Sequence, residues 1–239
     1  MSAAEPRSAA TILLVRDGQH GELEVFLVRR HPKSGFLGGA HVFPGGKVDE
    51  ADRHPEAIAA LGLAPGALHP DEAGGATRVA AIRETHEEAG VVVPPSQLAY
   101  MSRWITPEAE PRRYDTRFYV ALCPTDQVAA HDELETTAGA WFSPQGAIEA
   151  MRRRDLFLAP PTLRNLEILA EATTAEDALQ RTRLADKPTV QPDLVLRDGA
   201  VVILMPGDPD YSGPSGPPWV PGPSRFVLVD GVWEYPKTA

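Results

Sequence analysis

Arg83-Glu84-Thr85-His86-Glu87-Glu88-Ala89-Gly90 closes a strong helical pattern that begins near Ala76. Gly90 suits the C-terminal cap, where a left-handed residue without a Cβ ends a helix at little cost. At roughly 100° of rotation per residue, Val79, Ile82, His86 and Ala89 fall on one side, which reads as the core face. Glu84, Glu87 and Glu88 gather within about a third of the circumference elsewhere, sharing their sector with Thr77, Ala80 and Ala81. Only small side chains therefore crowd the space above the carboxylates, leaving room for something bulky.

The spacing of these acids is unfavourable by itself. Glu84 lies three residues before Glu87 and four before Glu88, so like charges are forced together at about a few tenths of a kcal/mol per pair. Acids near a helix C-terminus also oppose the macrodipole. A divalent cation removes both penalties, since Mg²⁺ and Mn²⁺ prefer oxygen ligands and bridge carboxylates to phosphates. An arbitrary glutamate-rich turn is a solvated face, so the surrounding residues must decide. His86 sits on the predicted apolar stripe with no second histidine at ligand spacing, and it reads as a packing residue.

Upstream, Thr11 to Arg16 and Glu22 to Arg30 are apolar-rich and flank Asp17-Gly18-Gln19-His20-Gly21, a composition that predicts a β-hairpin. A further extended segment, Ala40 to Phe43, runs into Pro44-Gly45-Gly46. Proline stops ladder pairing there, and two glycines let the backbone pass close to a ligand. Between Arg53 and Gly75 the composition shifts to Pro, Gly, Ala and His, with one short helix at Pro55 to Leu61.

Downstream, strands are predicted at Leu98 to Ile105, Arg117 to Leu122 and Gly139 to Phe142, and helices at Pro144 to Arg153, Pro161 to Ala172 and Ala175 to Leu184. That mixture predicts an α/β (α+β) fold. The tail differs. Leu194 to Arg197, Val201 to Met205, Phe226 to Val229 and Val232 to Tyr235 read as strands around a Pro/Gly-rich stretch, Pro206 to Pro223, which predicts a small C-terminal β appendage.

Composition narrows the functional classes. With 239 residues, 43% of them apolar, the chain can bury a sizeable core. A formal net charge of −10 argues against a non-specific nucleic-acid binder, because phosphate contacts need clustered Lys and Arg. No run approaches the ~18 apolar residues of a membrane span, and Met1 to Ala10 lacks a secretory pattern. The expected location is the cytoplasm. Cys123 is the single cysteine, which excludes an intramolecular disulfide and reads as a core thiol.

Taken together, these residues resemble the Nudix hydrolases, whose signature runs Gly, five residues, Glu, seven residues, then Arg-Glu-apolar-any-Glu-Glu-any-Gly-apolar. Gly46 opens it here, and Arg83 to Gly90 followed by Val91 closes it. Asp52 stands where the family has its first glutamate, and thirty residues, Arg53 to Ile82, lie where seven are usual. Insertions of this kind resemble those in the coenzyme A diphosphatase branch. Gly39, three residues, then Phe43-Pro44-Gly45-Gly46 is similar to that branch's pattern, as are Ser102 to Pro107, Arg113 to Phe118 and Leu158 to Thr162. The arginine expected four residues before Gly39 is Gly35, leaving Arg29, Arg30 or Lys33 as substitutes.

The resemblance covers about Thr11 to Ala172 and implies a Nudix-like α/β/α sandwich with a mixed sheet in a domain over residues 1–186, interrupted at about 53–75; it does not explain the tail, which is read as a β-rich extension over 187–239. It implies that Glu84, Glu87 and Glu88, helped by the Gly46 carbonyl, hold Mg²⁺ or Mn²⁺ against a diphosphate, and that Arg83 orients a neighbouring glutamate through a bidentate pair. Arg30, Gly39, Phe43, Gly45 and Gly46 are the implied substrate contacts. The implied general base is a helix glutamate or a downstream carboxylate, with Glu133 and Glu135 as candidates. The insertion is expected either to lid or shape the substrate pocket or to be a tolerated surface loop. A homodimer is a family-level expectation.

The leading expectation is cleavage of coenzyme A or acyl-coenzyme A to a phosphopantetheine product and adenosine 3′,5′-bisphosphate. Hydrolysis of ADP-ribose, dinucleoside or nucleotide-sugar diphosphates is the second reading. A ligand-binding regulator without turnover, suggested by Asp52 and the split signature, is the third.

Overall fold

The computed structural model describes residues 4–34, 37–64, 66–132, 136–214 and 222–236. Its centre is strand β1 (Arg7–Asp17), whose side chains alternate between two cores. Ile12 and Leu14 enter one, while Leu13 and Val15 enter the other. Such period-two alternation, apolar on both faces, is what a sheet covered on both sides requires.

Strand β2 (Leu23–Arg30) returns antiparallel to β1, as the two glycines predicted. Gly18 N–H bonds to the Glu22 carbonyl, and Gly21 takes a positive φ of 82°. On the far side β1 pairs in parallel with β6 (Tyr114–Leu122) over nine residues, and β5 (Ala99–Ile105) lies antiparallel to β6. Two short strands, β3 (His41–Val42) and β4 (Gly45–Lys47), pair with β2 and β1, and β7 (Thr136–Phe142) also pairs with β2. The segment read from sequence as a glycine loop is thus partly a strand, pinned where Thr11 Oγ1 donates to the Pro44 carbonyl at 2.6 Å.

The insertion carries α1 (Pro55–Ala59) and a 3₁₀ turn (Pro70–Gly75), and α2 (Ala76–Ala89) follows, capped by Gly90 at φ 69°. The orientation of α2 corrects the sequence reading. Val79 and Ile82 are only partly buried and His86 is exposed, whereas Thr77, Ala80, Ala81 and Thr85 face the sheet. Small residues let the helix axis approach the strands closely, and the Thr77 hydroxyl meets that of Tyr119 at 2.8 Å. The space above the small side chains is filled by the sheet itself.

The opposite layer contains α3 (Pro144–Arg152), α4 (Pro160–Leu169) and α5 (Ala175–Leu184). Ser143 and Thr174 cap α3 and α5 by accepting from Gly146 N–H and Asp177 N–H at 3.1 Å each, which satisfies donors a helix start leaves open. Leu163, Leu166 and Leu169 bury the inner face of α4, each worth about 1.5–3 kcal/mol relative to exposure. The result is the expected α/β/α sandwich around a mixed sheet.

After β8 (Thr189–Val190), which adds in parallel to β5, the chain forms β9 (Asp193–Arg197), β10 (Ala200–Leu204), β11 (Arg225–Val229) and β12 (Val232–Glu234). These last four make an antiparallel sheet ordered β12-β11-β10-β9. Ile203, Met205, Phe226, Val232 and Trp233 join the core shared with α3, α4 and α5. Arg164, 1% exposed, stitches the two parts together: it pairs with Glu167 at 2.8 Å and donates to the Pro223 carbonyl at 2.6 Å. No helix among the described residues is long and apolar enough to cross a membrane.

Candidate active site

The end of α2 meets the β4 strand, and both line a cavity of about 500 Å³. Glu88 is almost fully buried, and its Oε2 accepts from the Gly45 N–H at 2.9 Å. A Cβ on Gly46 would run into the Glu84 carboxylate, so glycine here lets the strand lie against that side chain as it stands. A Cβ on Gly45 would meet the Ala10 carbonyl at 2.4 Å, a clash with backbone that cannot swing away.

Arg83 binds this cluster together. Its Nε and Nη2 reach the two oxygens of Asp52 at 3.0 and 2.9 Å, Nη1 touches Glu84 at 3.0 Å and Glu87 at 2.9 Å, and Nη2 also donates to the Lys47 carbonyl at 3.0 Å. The bidentate partner is therefore Asp52, and each glutamate receives a single contact, a correction to the expected arginine–glutamate fork. Asp52 is 2% exposed and lies in the 3₁₀ turn Ala51–Arg53, where it also accepts from the Asp49 N–H. The hydrogen bonds that Asp52 accepts from Arg83 raise the Arg83 pKa above its ordinary value against the opposing effect of burial, and the charge of Glu84 adds to the rise.

The cavity collects most of the residues singled out from sequence. Arg30, Phe43, Gly45, Gly46, Arg83, Glu84, Glu87 and Glu88 all line it. Of the three substitutes for the displaced arginine, Arg30 alone does so; Arg29 and Lys33 are exposed elsewhere. Arg30 Nη2 donates to Ser34 Oγ at 3.1 Å, while its buried Nε has no partner among the described residues. Gly39 does not line the cavity. It takes φ 79° and returns the chain so that its N–H meets the Arg30 carbonyl, a turn role rather than a contact role. Glu133 and Glu135 lie outside the described residues.

No described residue of 53–75 lines the cavity. The last turn of this insertion is tied into the fold. Glu72, buried, takes two hydrogen bonds from Arg78 at 2.9 and 2.7 Å, and Arg117 Nε donates to the Asp71 carbonyl at 2.6 Å. The lining that sequence reasoning missed comes from Lys47, Asp49 and Glu110 and from the tail, through Pro192, Leu194, Ile203 and Trp233. Adjacent polar residues carried no signal for the first group, and tertiary packing alone supplies the second.

The carboxylates have the donor chemistry of a hard cation site, oxygen ligands on one helix end facing a carbonyl-bearing strand. Among the described residues no three His, Cys, Asp or Glu side chains converge on one point, since Arg83 and the Gly45 N–H hold the acids.

Residues 95–169 match the family model described as the NUDT19 Nudix domain. Among curated proteins the chain is similar to the acyl-coenzyme A diphosphatase NUDT19 of Gallus gallus, 27% identical across 80% of this chain and 75% of that protein. Its Homo sapiens counterpart is 26% identical across 78% and 72%. Among solved structures, a NUDIX hydrolase from Alicyclobacillus acidocaldarius superposes with a TM-score of 0.63 at 25% identity, covering 74% of this chain and 96% of that one.

Proposed function

Because the chain belongs to the Nudix hydrolase family, we propose that it cleaves the diphosphate of coenzyme A or acyl-coenzyme A, releasing adenosine 3′,5′-bisphosphate and a phosphopantetheine product. The observation that carries this reading is one cavity lined by Glu84, Glu87, Glu88 and Gly46 together with Arg30 and Phe43. Relatives described as acyl-coenzyme A diphosphatases support the substrate. Residues 1–186 serve as the hydrolase domain and 187–239 as its extension, in a cytoplasmic protein that acts on a small molecule, not on nucleic acid, and assembles as a homodimer.

Nudix hydrolases generally use divalent metal ions, and Glu84, Glu87, Glu88 and the Gly46 carbonyl would hold Mg²⁺ or Mn²⁺ here. Such an ion neutralises diphosphate charge and favours attack by water. The chain's own residues supply the rest. Asp52 fixes Arg83, and Arg83 fixes Glu84 and Glu87. Arg30 directs a guanidinium toward a substrate phosphate, for which its planar fork is suited. The proton from the attacking water goes to a carboxylate, supplied by a helix glutamate or by Glu135.

The test is release of adenosine 3′,5′-bisphosphate from coenzyme A with Mg²⁺ or Mn²⁺, comparing the native chain with Glu87→Gln beside an ADP-ribose control. Metal-dependent release that the variant loses supports both reaction and substrate. Turnover of ADP-ribose alone discards the coenzyme A assignment.

A further inference from the structure

The cavity has two chemically different kinds of lining. Its charged lining comes from α2, the segment 45–49, Arg30 and Glu110. Its apolar lining includes Phe43, Trp104 and Phe118, which belong to the core layer on the face of the sheet opposite α2. Ile203 and Trp233 belong to that same layer, and Leu194 and Pro192 extend the wall. Trp104, Ile203 and Trp233 are 4%, 7% and 8% exposed, so the cavity is the route by which a ligand meets them.

Resting on the function proposed above, we propose that the C-terminal sheet builds an acyl subsite: Leu194, Ile203 and Trp233, with Trp104 and Phe118, receive the fatty acyl group of a coenzyme A thioester and set which chain lengths are accepted. The chemistry of the wall selects this part of the substrate over the nucleotide. An adenine edge needs hydrogen-bond partners when it leaves water, and an adenosine bisphosphate needs cations. The C-terminal sheet and the residue before it offer the cavity leucine, isoleucine, tryptophan and proline, of which tryptophan alone has a side-chain donor. An alkyl chain asks for none, and apolar walls with few polar groups are the ordinary construction of sites for such ligands.

The experiment uses the full chain, Leu194→Trp, which adds bulk to the wall, and Trp233→Ala, which removes it. For each, kcat/KM is measured on unesterified, acetyl-, octanoyl- and palmitoyl-coenzyme A, and the reading is the ratio of each thioester to the unesterified compound. The palmitoyl ratio is expected to fall about tenfold in Leu194→Trp, with the octanoyl ratio affected less, and Trp233→Ala is expected to shift the preferred length. Thermal unfolding identifies a variant that has lost its fold, and the other variant then decides.

A second reading is independent of turnover. With divalent metal removed, palmitoyl-coenzyme A is expected to change tryptophan emission more than coenzyme A does, and less so in Leu194→Trp. Turnover with ratios unchanged in both variants overturns the subsite while leaving the diphosphatase reading intact. The emission change without turnover of any of the four compounds overturns the diphosphatase reading and keeps the subsite; no difference in emission between the two ligands overturns the subsite.

Discussion

Asp52 and Arg83 grip each other through two hydrogen bonds of 3.0 and 2.9 Å although 31 positions of chain separate them. The pair bridges the insertion and ties the start of the split signature to its end. Asp52→Ala leaves a partly buried guanidinium without its main partner and is expected to cost about 2–3 kcal/mol, below the full cost of breaking a buried pair because Arg83 is partly exposed. Urea unfolding measures this. Diphosphatase activity is expected to fall through kcat more than KM, since Glu84 and Glu87 lose their orienting group.

Adjacent glycines separate stability from chemistry. Gly45→Ala drives a methyl into the Ala10 backbone and Thr11, and overpacking of this kind costs about 1–3 kcal/mol. Gly46→Ala meets only the mobile end of Glu84, so the fold is expected to persist while activity falls about 10- to 100-fold, as when the surroundings of a metal ligand are disturbed. Unfolding and steady-state kinetics on both variants give the contrast; equal stability loss in the two would refute it.

Glu72→Ala tests the structural role of the insertion. It removes the anionic partner of Arg78, which keeps only the Pro95 and Leu98 carbonyls as acceptors, where both side chains of the pair are almost wholly buried, at an expected cost of about 3 kcal/mol. Activity per folded molecule, assayed well below the unfolding temperature, is expected to stay within about threefold, a shift worth less than 1 kcal/mol.

His41 links stability to pH. Burial pushes its imidazole down to about 4, and the nearby Arg29 charge adds to the effect. An unfolded histidine takes a proton near pH 6.5, so between those values the unfolded chain binds a proton that the folded one refuses. Stability from neutral His41 is complete above about pH 6.5 and is lost as pH falls toward 4. With its partial exposure discounted, the loss at pH 5 is about 1 kcal/mol. The decrease in unfolding free energy from pH 7 to pH 5 is expected to be smaller by that amount in His41→Gln.

Much of this was legible because local rules sufficed. The helix over Ala76 to Ala89 with Gly90 after it, the hairpin around Gly18 and Gly21, and the helix from Ala175 to Leu184 all follow from periodicity and capping. The inner face of α2 did not, because Val79 and Ile82 outrank Ala80 and Ala81 in hydrophobicity while close packing against β1 favours the small residues. The first residues of β1, Arg7 to Ala10, lack an apolar pattern and are strand through pairing with β4 and β6. In the site, the carboxylates and glycines were readable as a motif. Lys47, Asp49, Glu110 and the C-terminal wall were not, since a cavity assembled from distant segments leaves no spacing to read.

The place of Leu194, Ile203 and Trp233 in the cavity bears on the order in which the protein is made. Translation delivers α2 and the main strands long before β10 and β12, and chains begin folding from the N-terminal side as they are synthesised. The carboxylate cluster can form on a nascent chain whose cavity still lacks one wall. A ligand that needs that wall can be held only once β12 is in place.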